Sequence, residues 1–409
     1  MFRIIISLLV FILTFKVMVV QCVPRVPCYF IFGDSLSDVG NNNALNTKAK
    51  ANYPPYGIDF PGGIPTGRFS NGLNFVDRIS QLLGFEEFIP PFSTARGPEI
   101  LKGVNYASGA AGIRAETGKH LGDCISMDRQ LLNHLNTVTK FKLIGKGPML
   151  KKCLYTVNIG NNDYINNYFL PQYYSSSYVY NSDQFAQVLI RQYARQLKKL
   201  YRYGARKVAI FGVGLIGCTL AEISMHGTNG SLCVDNIDKA AHLFNQKLIA
   251  LVDNLNSKLI GAQFTYINTA SNNTGSAIVD NTCCKVRDDY QCQEFKEPCG
   301  ERGSYIFWDG FHTTEIANIA TAEGYQLSGS ELGDRRDPNV LGTTRSQKHY
   351  TVQIPRKSDR YLLRNLKRSR TNGIFARVRP ITRTMVIESQ DLLLSIVLVF
   401  ESASCNTPC

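Results

Sequence analysis

The chain has 409 residues, of which 44% are hydrophobic and 19% charged, with a formal net charge of +13. This apolar content allows a sizeable core and excludes a wholly disordered chain. The charge is uneven: residues 331–384 hold 14 Lys and Arg against 4 Asp and Glu, whereas the other 355 residues have a net charge of only +3.

The first 22 residues have the features of a secretory signal peptide. Arg3 precedes an apolar run over residues 4–15, and a further apolar stretch ends near Cys22. Lys16 interrupts the apolar residues before they reach the roughly 20 that a membrane-spanning helix needs. We therefore expect residues 1–22 to be cleaved, and the mature protein to be secreted, extracellular and without a stable membrane anchor.

From residue 28 to about residue 325, short apolar runs alternate with longer helical patterns. Apolar residues recur every three or four positions in 183–203 and 233–260, which predicts two helices. This alternation predicts a three-layer α/β/α sandwich around a central, mostly parallel five-stranded sheet of the flavodoxin-like kind. Continuous apolar runs fit strands buried on both faces, and they occupy residues 28–32, 103–107, 153–157, 207–211 and 263–267.

Polar motifs follow three of the predicted strands. Gly-Asp-Ser at 33–35 follows the first, Ser-Gly at 108–109 the second, and Gly-Asn-Asn-Asp at 160–163 the third. Ligands of such sheets bind outside the carboxyl ends of the strands. A hydroxyl, a glycine backbone and a side-chain amide are therefore expected at one edge of the sheet.

A carboxylate and an imidazole lie three residues apart near the end of this region. Asp309 and His312 can face the same side of a turn or helix start. A carboxylate beside an imidazole fixes its tautomer and stabilises the imidazolium. A serine hydroxyl needs such a base because it is a weak nucleophile at neutral pH. Taken alone each signal is weak, since Gly-Asp-Ser is a good turn and an Asp can simply cap a helix.

Five motifs together resemble the plant GDSL esterase/lipase family within the SGNH hydrolases. They follow the family's order, span residues 28–320 and agree too well for chance. They are FGDSLSDVGNNN at 32–43, TGRFSNG at 66–72, NYASGAAG at 105–112, GNND at 160–163 and WDGFH at 308–312. The resemblance implies the SGNH hydrolase fold and hydrolysis of carboxylic esters without a cofactor or a metal.

The resemblance also implies a role for individual residues. Ser35 is the expected nucleophile, His312 the general base and then acid, and Asp309 the residue that orients the imidazole. The expected oxyanion hole consists of the backbone N–H groups of Ser35 and Gly109 and the side-chain amide of Asn162. Gly109 suits that role because a backbone donor can approach closely where no Cβ intervenes.

The twelve cysteines agree with export to an oxidising compartment. No C-x-x-C pair is present, so zinc ribbons and thioredoxin motifs have no support. Without the signal and tail cysteines nine remain, and an odd number implies a free thiol. We predict Cys153 as that thiol, because it begins a buried strand and suits a small core hydrophobe. Four cysteines crowd one loop-like stretch and are expected in disulfides of open pairing: Cys283, Cys284, Cys292 and Cys299.

Two Asn-x-Ser/Thr triplets are predicted N-glycosylation sites. Asn229 lies in Asn-Gly-Ser and Asn272 in Asn-Asn-Thr. Such triplets are frequent by chance, but the secretory signal makes glycosylation of these two the expected outcome.

The resemblance fades after about Gly324, where an Arg-rich stretch begins. We therefore predict an SGNH/GDSL hydrolase domain over residues 23–330 and an atypical basic tail over residues 331–409. Arg and Lys at this density repel one another, so the tail is expected to be disordered or to be an artefact of the gene model.

The expected substrate is a lipid ester or another acylated extracellular compound. We expect the protein to be a monomer and not to bind nucleic acid. An acyltransferase would use the same triad and oxyanion hole, and the sequence leaves this alternative open. A catalytically silent binding protein of the same fold is a second alternative, which the intact Ser35, Asp309 and His312 argue against. The absence of Gly-x-Ser-x-Gly disfavours the α/β-hydrolase fold.

Overall fold

Five parallel strands form the central sheet of the computed structural model, which describes residues 24–269 and 278–329. Their order is β2-β1-β3-β4-β5, and every neighbouring pair is parallel. The predicted sheet is confirmed, although the second strand ends two residues before the predicted boundary. The strands are β1 (Tyr29–Gly33), β2 (Gly103–Asn105), β3 (Leu154–Asn158), β4 (Lys207–Phe211) and β5 (Gln263–Ile267).

Both faces of the sheet are covered, which explains why the strands are continuously apolar rather than alternating. All five residues of β1 are buried. Phe30 and Phe32 pack into the core on one face, with residues of three long helices. Tyr29 and Ile31 pack into the core on the opposite face, with the first and last helices described below. Burial of a phenylalanine side chain stabilises the fold by about 1.5–3 kcal/mol.

The helices flank the sheet on these two faces. The two predicted helices are present as α5 and α7. Asn181 caps α5, because its side chain accepts a hydrogen bond from the Gln184 N–H and Gln184 reciprocates. The helices are α1 (Phe75–Leu82), α2 (Met127–Leu143), α3 (Asn161–Asp163), α4 (Ser176–Val179), α5 (Ser182–Arg202), α6 (Leu220–His226), α7 (Asp235–Lys258) and α8 (Glu315–Gly329).

A second, two-stranded parallel sheet pairs β6 (Ile278–Thr282) with β7 (Tyr305–Phe307). The chain leaves β7 directly into the motif that holds Asp309 and His312. In the part of the chain that the structure describes, no helix combines the length and apolar character needed to cross a bilayer. The predicted signal peptide, the Asn272 sequon and the tail beyond residue 330 lie outside the described residues.

Four disulfides cross-link the described chain. The prediction that Cys153 is a free thiol is wrong, since it is bonded to Cys28. The two cysteines directly precede the neighbouring strands β1 and β3, and their Cα atoms lie 4.7 Å apart, within disulfide reach. The free cysteine among the described residues is Cys124, which is half-buried. The other disulfides are Cys218–Cys233, Cys283–Cys299 and Cys284–Cys292.

Candidate active site

A serine, a histidine and an aspartate form an unbroken hydrogen-bonded chain beyond the carboxyl ends of the strands. His312 Nε2 lies 2.8 Å from Ser35 Oγ, and His312 Nδ1 lies 2.8 Å from each carboxylate oxygen of Asp309. Asp309 is fully buried and His312 is 7% exposed. A carboxylate that accepts the Nδ1 proton leaves Nε2 as the acceptor for the serine proton. The structure therefore brings together the three residues singled out in the sequence.

The loop after β7 fixes the aspartate and the histidine relative to each other. Asp309 Oδ1 accepts hydrogen bonds from the backbone N–H groups of Phe311 and His312, each at 2.8 Å. This is the local turn that an aspartate makes with the residues two and three positions later. The Trp308 N–H closes the loop by donating to the His312 carbonyl at 2.8 Å. The orientation of the imidazole is thus encoded within five consecutive residues.

The turn after β1 presents Ser35, and its neighbour Asp34 anchors it. The N–H groups of Ser37 and Asp38 donate to the Asp34 carbonyl at 3.1 and 3.0 Å. Asn161 Nδ2 donates to Asp34 Oδ2 at 3.1 Å, which ties the turn to α3. Burial raises the pKa of Asp34 to about 6, while the hydrogen bond from Asn161 opposes this rise. The sequence motif Gly-Asp-Ser therefore contributes a buried carboxylate whose task is to hold the serine turn.

The backbone N–H predicted at Gly109 for the oxyanion hole points elsewhere. It donates to Asp38 Oδ2 at 3.0 Å. Burial raises the pKa of Asp38 to about 6, and this buried carboxylate needs the donors that surround it. A Cβ at Gly109 would come within 2.8 Å of Phe69 Cζ, so the close approach of that ring explains the glycine. The N–H of Gly109 is therefore engaged with Asp38, and the role predicted for it in the oxyanion hole stays a prediction.

The next residue, Ala110, has a backbone N–H group without a hydrogen-bond acceptor among the described residues. Ala110 lines the cavity above Ser35, and its φ of 65° lies in the left-handed region. A non-glycine residue with positive φ is uncommon and is often found at functional sites.

Asn162 is held with its side chain at the same cavity. Its Oδ1 accepts a hydrogen bond from Asn166 Nδ2 at 2.6 Å, and its Nδ2 donates to the Ala111 carbonyl at 3.1 Å. A side-chain amide has two N–H donors. One donor of Asn162 therefore remains for a ligand in the cavity that it lines.

A cavity of about 870 Å³ opens over Ser35 and His312. Its walls are largely apolar, and the volume lies in the range of small-molecule sites. Apolar side chains continue to its rim, where Tyr173 is 61% exposed and Leu232 is 94% exposed. Apolar wall residues include Leu36, Phe75, Ile165, Leu170, Leu215 and Ile306.

One cluster in the described chain has the spacing of metal ligands. It consists of Cys218, Cys233 and Asp238. The two sulfurs form a disulfide, so they provide no thiolate for a metal. This cluster therefore contributes a cross-link rather than a metal site.

Sequence reasoning missed two aromatic residues that contact the triad. The Tyr56 hydroxyl donates to Asp309 Oδ2 at 2.6 Å. The Phe69 ring packs against the His312 ring with centroids 4.8 Å apart. Phe69 lies in the TGRFSNG block, but a linear motif does not show which side chain faces the imidazole. Tyr56 lies outside the five blocks and offered no signal.

Comparison with known proteins identifies the family. Residues 29–324 match the family model for GDSL-like lipase/acylhydrolase. The GDSL esterase/lipase At4g18970 of Arabidopsis thaliana is 48% identical over 313 residues, covering 72% of this chain and 86% of the relative. From the same plant, GDSL esterase/lipase At1g29660 is 47% identical over 321 residues, covering 74% and 88%. The chain therefore belongs to the GDSL-like lipase/acylhydrolase family and is a carboxylic ester hydrolase.

Proposed function

We propose that this enzyme is a secreted serine esterase that hydrolyses esters of lipids or acylated extracellular compounds through an acyl-enzyme on Ser35. The observation that carries the proposal is the unbroken chain from Ser35 through His312 to Asp309, at the floor of a largely apolar cavity. A buried carboxylate, an imidazole and a hydroxyl in this order are what nucleophilic acyl transfer requires.

The reaction proceeds in two steps. His312 Nε2 takes the proton from Ser35 Oγ while the oxygen attacks the ester carbonyl carbon, and the carbonyl electron pair moves onto the oxygen. The imidazolium, stabilised by Asp309, then gives this proton to the leaving alkoxide as the C–O bond breaks and the acyl-enzyme forms. In the second step a water molecule attacks the carbonyl carbon of the acyl-enzyme while His312 takes its proton. His312 then returns this proton to Ser35 Oγ as the acyl–oxygen bond breaks, which releases the carboxylic acid and free Ser35.

The negative charge on the tetrahedral oxygen is stabilised by three N–H donors. They are the backbone groups of Ser35 and Ala110 and the free amide donor of Asn162. Asn162 has the role that the sequence predicts for it, and we propose Ala110 as the backbone donor in place of Gly109. Support comes from the cavity, which all three residues line, and from the engagement of the Gly109 N–H with Asp38.

The cavity favours an apolar acyl group. Burying apolar carbon against such walls gains roughly 0.8 kcal/mol per methylene. Exposed apolar side chains at the rim, Tyr173 and Leu232, extend this surface outward. A fatty acyl chain fits these walls better than a charged or strongly hydrated substituent.

Export is the second part of the proposal. The apolar leader over residues 1–22 and four disulfides in the described chain both fit an oxidising, extracellular destination. Asn229 is exposed within a turn closed by the Ser231 N–H and the Thr228 carbonyl. Its side chain is therefore accessible to a glycosylating enzyme.

The function is tested with the disulfide-bonded protein and p-nitrophenyl esters of two to sixteen acyl carbons. We expect release of p-nitrophenol and free acid. The value of kcat/KM should rise with acyl length until the acyl chain fills the apolar cavity. Adding a primary alcohol separates the two remaining activities. A new ester as the main product would show that the enzyme is an acyltransferase rather than a hydrolase. No turnover of any ester would contradict both activities.

Asn162→Ala tests the oxyanion hole. Loss of one preorganised donor typically lowers kcat by about 10²–10³-fold, and KM should change little because the donor acts on the transition state. Asn166→Ala is the control, since its amide contacts Asn162 rather than the substrate oxygen, and it should cost far less. A change confined to KM in Asn162→Ala would show uniform substrate binding instead.

A further inference from the structure

We propose that Tyr56 is a positioning residue of the triad, whose hydroxyl holds the Asp309 carboxylate in the orientation that aligns His312. This inference rests on the proposed catalytic role of Ser35, Asp309 and His312. It assigns a task to a residue far from the triad in sequence, since Tyr56 and Asp309 are separated by 253 positions.

The contact is short and fully removed from solvent. The Tyr56 hydroxyl donates to Asp309 Oδ2 at 2.6 Å. Tyr56 is 1% exposed and Asp309 is not exposed at all. Hydrogen bonds to an ionised acceptor are shorter and stronger than neutral ones. Because both side chains are buried, solvent cannot readily replace such a donor.

The hydroxyl completes the set of donors around the carboxylate. Asp309 Oδ1 accepts hydrogen bonds from the backbone N–H groups of Phe311 and His312, whereas Oδ2 accepts a hydrogen bond from the Tyr56 hydroxyl. The imidazole Nδ1 faces both oxygens at 2.8 Å. Rotation of the carboxylate about its Cβ–Cγ bond would break bonds on both sides. Tyr56 therefore supplies the anchor that the local turn cannot supply.

The hydroxyl proton is itself directed to the carboxylate. The Cys292 N–H donates to the Tyr56 hydroxyl oxygen at 3.2 Å, which occupies the oxygen as an acceptor and leaves its proton for Asp309. Burial, together with the charge of Asp309, raises the pKa of Tyr56 well above its ordinary value. Tyr56 consequently remains protonated, and therefore a donor, at neutral pH.

A single disulfide-linked loop, residues 283–299, holds both partners of this contact. It carries Cys292, whose N–H positions the Tyr56 hydroxyl. Its Cys284 N–H also donates to the Trp308 carbonyl at 2.9 Å, next to Asp309. Disulfides 283–299 and 284–292 close this loop. The distance between the Tyr56 hydroxyl and Asp309 is thus fixed by one cross-linked element.

The other groups around the triad do not duplicate this bond. Asp34 on the serine turn interacts electrostatically with His312, and Phe69 presents a ring to the imidazole. Tyr53 lies behind Tyr56, with ring centroids 5.2 Å apart. The Arg287–Asp289 pair lies behind Tyr53, with the guanidinium 5.5 Å from its ring centroid. Among the described side chains, Tyr56 and His312 are the ones that donate to the Asp309 carboxylate.

Tyr56→Phe removes the hydroxyl and keeps the ring packing. We expect kcat/KM to fall about 10–100-fold, because a misplacement of about 1 Å at a catalytic group can cost 10²-fold, with KM little changed. The freed carboxylate also stabilises the imidazolium more strongly, because it no longer shares its charge with the hydroxyl. The acid limb of the pH dependence of kcat/KM should therefore move to higher pH, which a purely structural role would not cause.

Tyr53→Phe is the matched control. Its hydroxyl donates to the Cys292 carbonyl at 3.1 Å, in the same loop, but makes no bond to Asp309. We expect kcat/KM within about threefold of the wild type and an unmoved acid limb, because the half-buried Tyr53 contacts neither Asp309 nor His312 through its hydroxyl. Rates are expressed per site titrated with a fluorophosphonate, so partly unfolded variants remain comparable.

The decisive measurement combines Tyr56→Phe with Asp309→Asn. If the hydroxyl acts through the carboxylate, Tyr56→Phe should change kcat/KM by less than about threefold in the Asp309→Asn background. An equal loss in both backgrounds, an equal loss in Tyr53→Phe, or an unmoved acid limb overturns the positioning role. Near-wild-type activity of Asp309→Asn alone would instead overturn the proposed triad, so the two failures are distinguishable.

Discussion

Ser35→Ala should lower kcat by about 10⁶-fold, the loss typical for removal of a triad nucleophile. Alanine cannot form the acyl-enzyme, and the N–H donors of the oxyanion hole can then assist only the direct attack of water. KM should change little, because the methyl group leaves the cavity walls intact. Initial rates with a p-nitrophenyl ester, measured to high enzyme concentration, check the size of the loss.

Ser37→Ala is the control for this variant. Ser37 lies two residues away in the same turn and is fully buried, and its hydroxyl has no hydrogen-bond partner among the described residues. The chemical change is identical, but no reacting atom is lost, so kcat should stay within a few-fold of the wild type. Equal losses in the two variants would mean that the turn, and not the Ser35 hydroxyl, is essential.

Asp309→Asn should lower kcat by about 10⁴-fold at neutral pH, the size of the loss for the same change in a serine-protease triad. The backbone N–H groups of Phe311 and His312 at Oδ1 hold the amide oxygen in that position. The amide nitrogen then replaces Oδ2 and donates to His312 Nδ1. The imidazole is left with its proton on Nε2, where it cannot accept the proton of Ser35.

The melting temperature of Asp309→Asn separates this explanation from simple misfolding. A tautomer defect leaves the melting temperature near that of the wild type, apart from the altered contact with Tyr56. A loss of less than about tenfold in kcat, at unchanged stability, would show that Asp309 does not orient the base.

The sequence was sufficient for the sheet, because strands buried on both faces are continuously apolar. Tyr29 to Gly33 illustrate this, since alternate residues enter the cores on the two faces. Through the resemblance of the WDGFH motif it was also sufficient to single out Asp309 and His312, whose relative geometry is set by hydrogen bonds within one short turn. Local interactions of this kind are readable in a linear motif.

Features that depend on the register of distant segments were not predictable. Cys153 was expected to be free, but the pairing of Tyr29 with Leu154 places it beside Cys28. Likewise, the N–H of Gly109 meets Asp38 from a loop 71 residues earlier. Such contacts follow from the folded arrangement of the strands and have no signature in composition or spacing.

Several predictions concern residues outside the described chain and remain predictions. They are the cleaved leader over residues 1–22, glycosylation of Asn272 and the basic tail over residues 331–409. The family match ends at residue 324, close to the proposed boundary of the hydrolase domain at residue 330. Mass spectrometry of the mature protein can determine both of its ends.

Covalent labelling with a fluorophosphonate tests the central claim most directly. The activated Ser35 oxygen should displace fluoride and form one stable phosphonyl ester per chain, located by peptide mass spectrometry to the segment that contains Ser35. Labelling should be absent in Ser35→Ala and preserved in Ser37→Ala. A stoichiometric adduct at another residue, or undiminished labelling of Ser35→Ala, would contradict the assignment of Ser35 as the nucleophile.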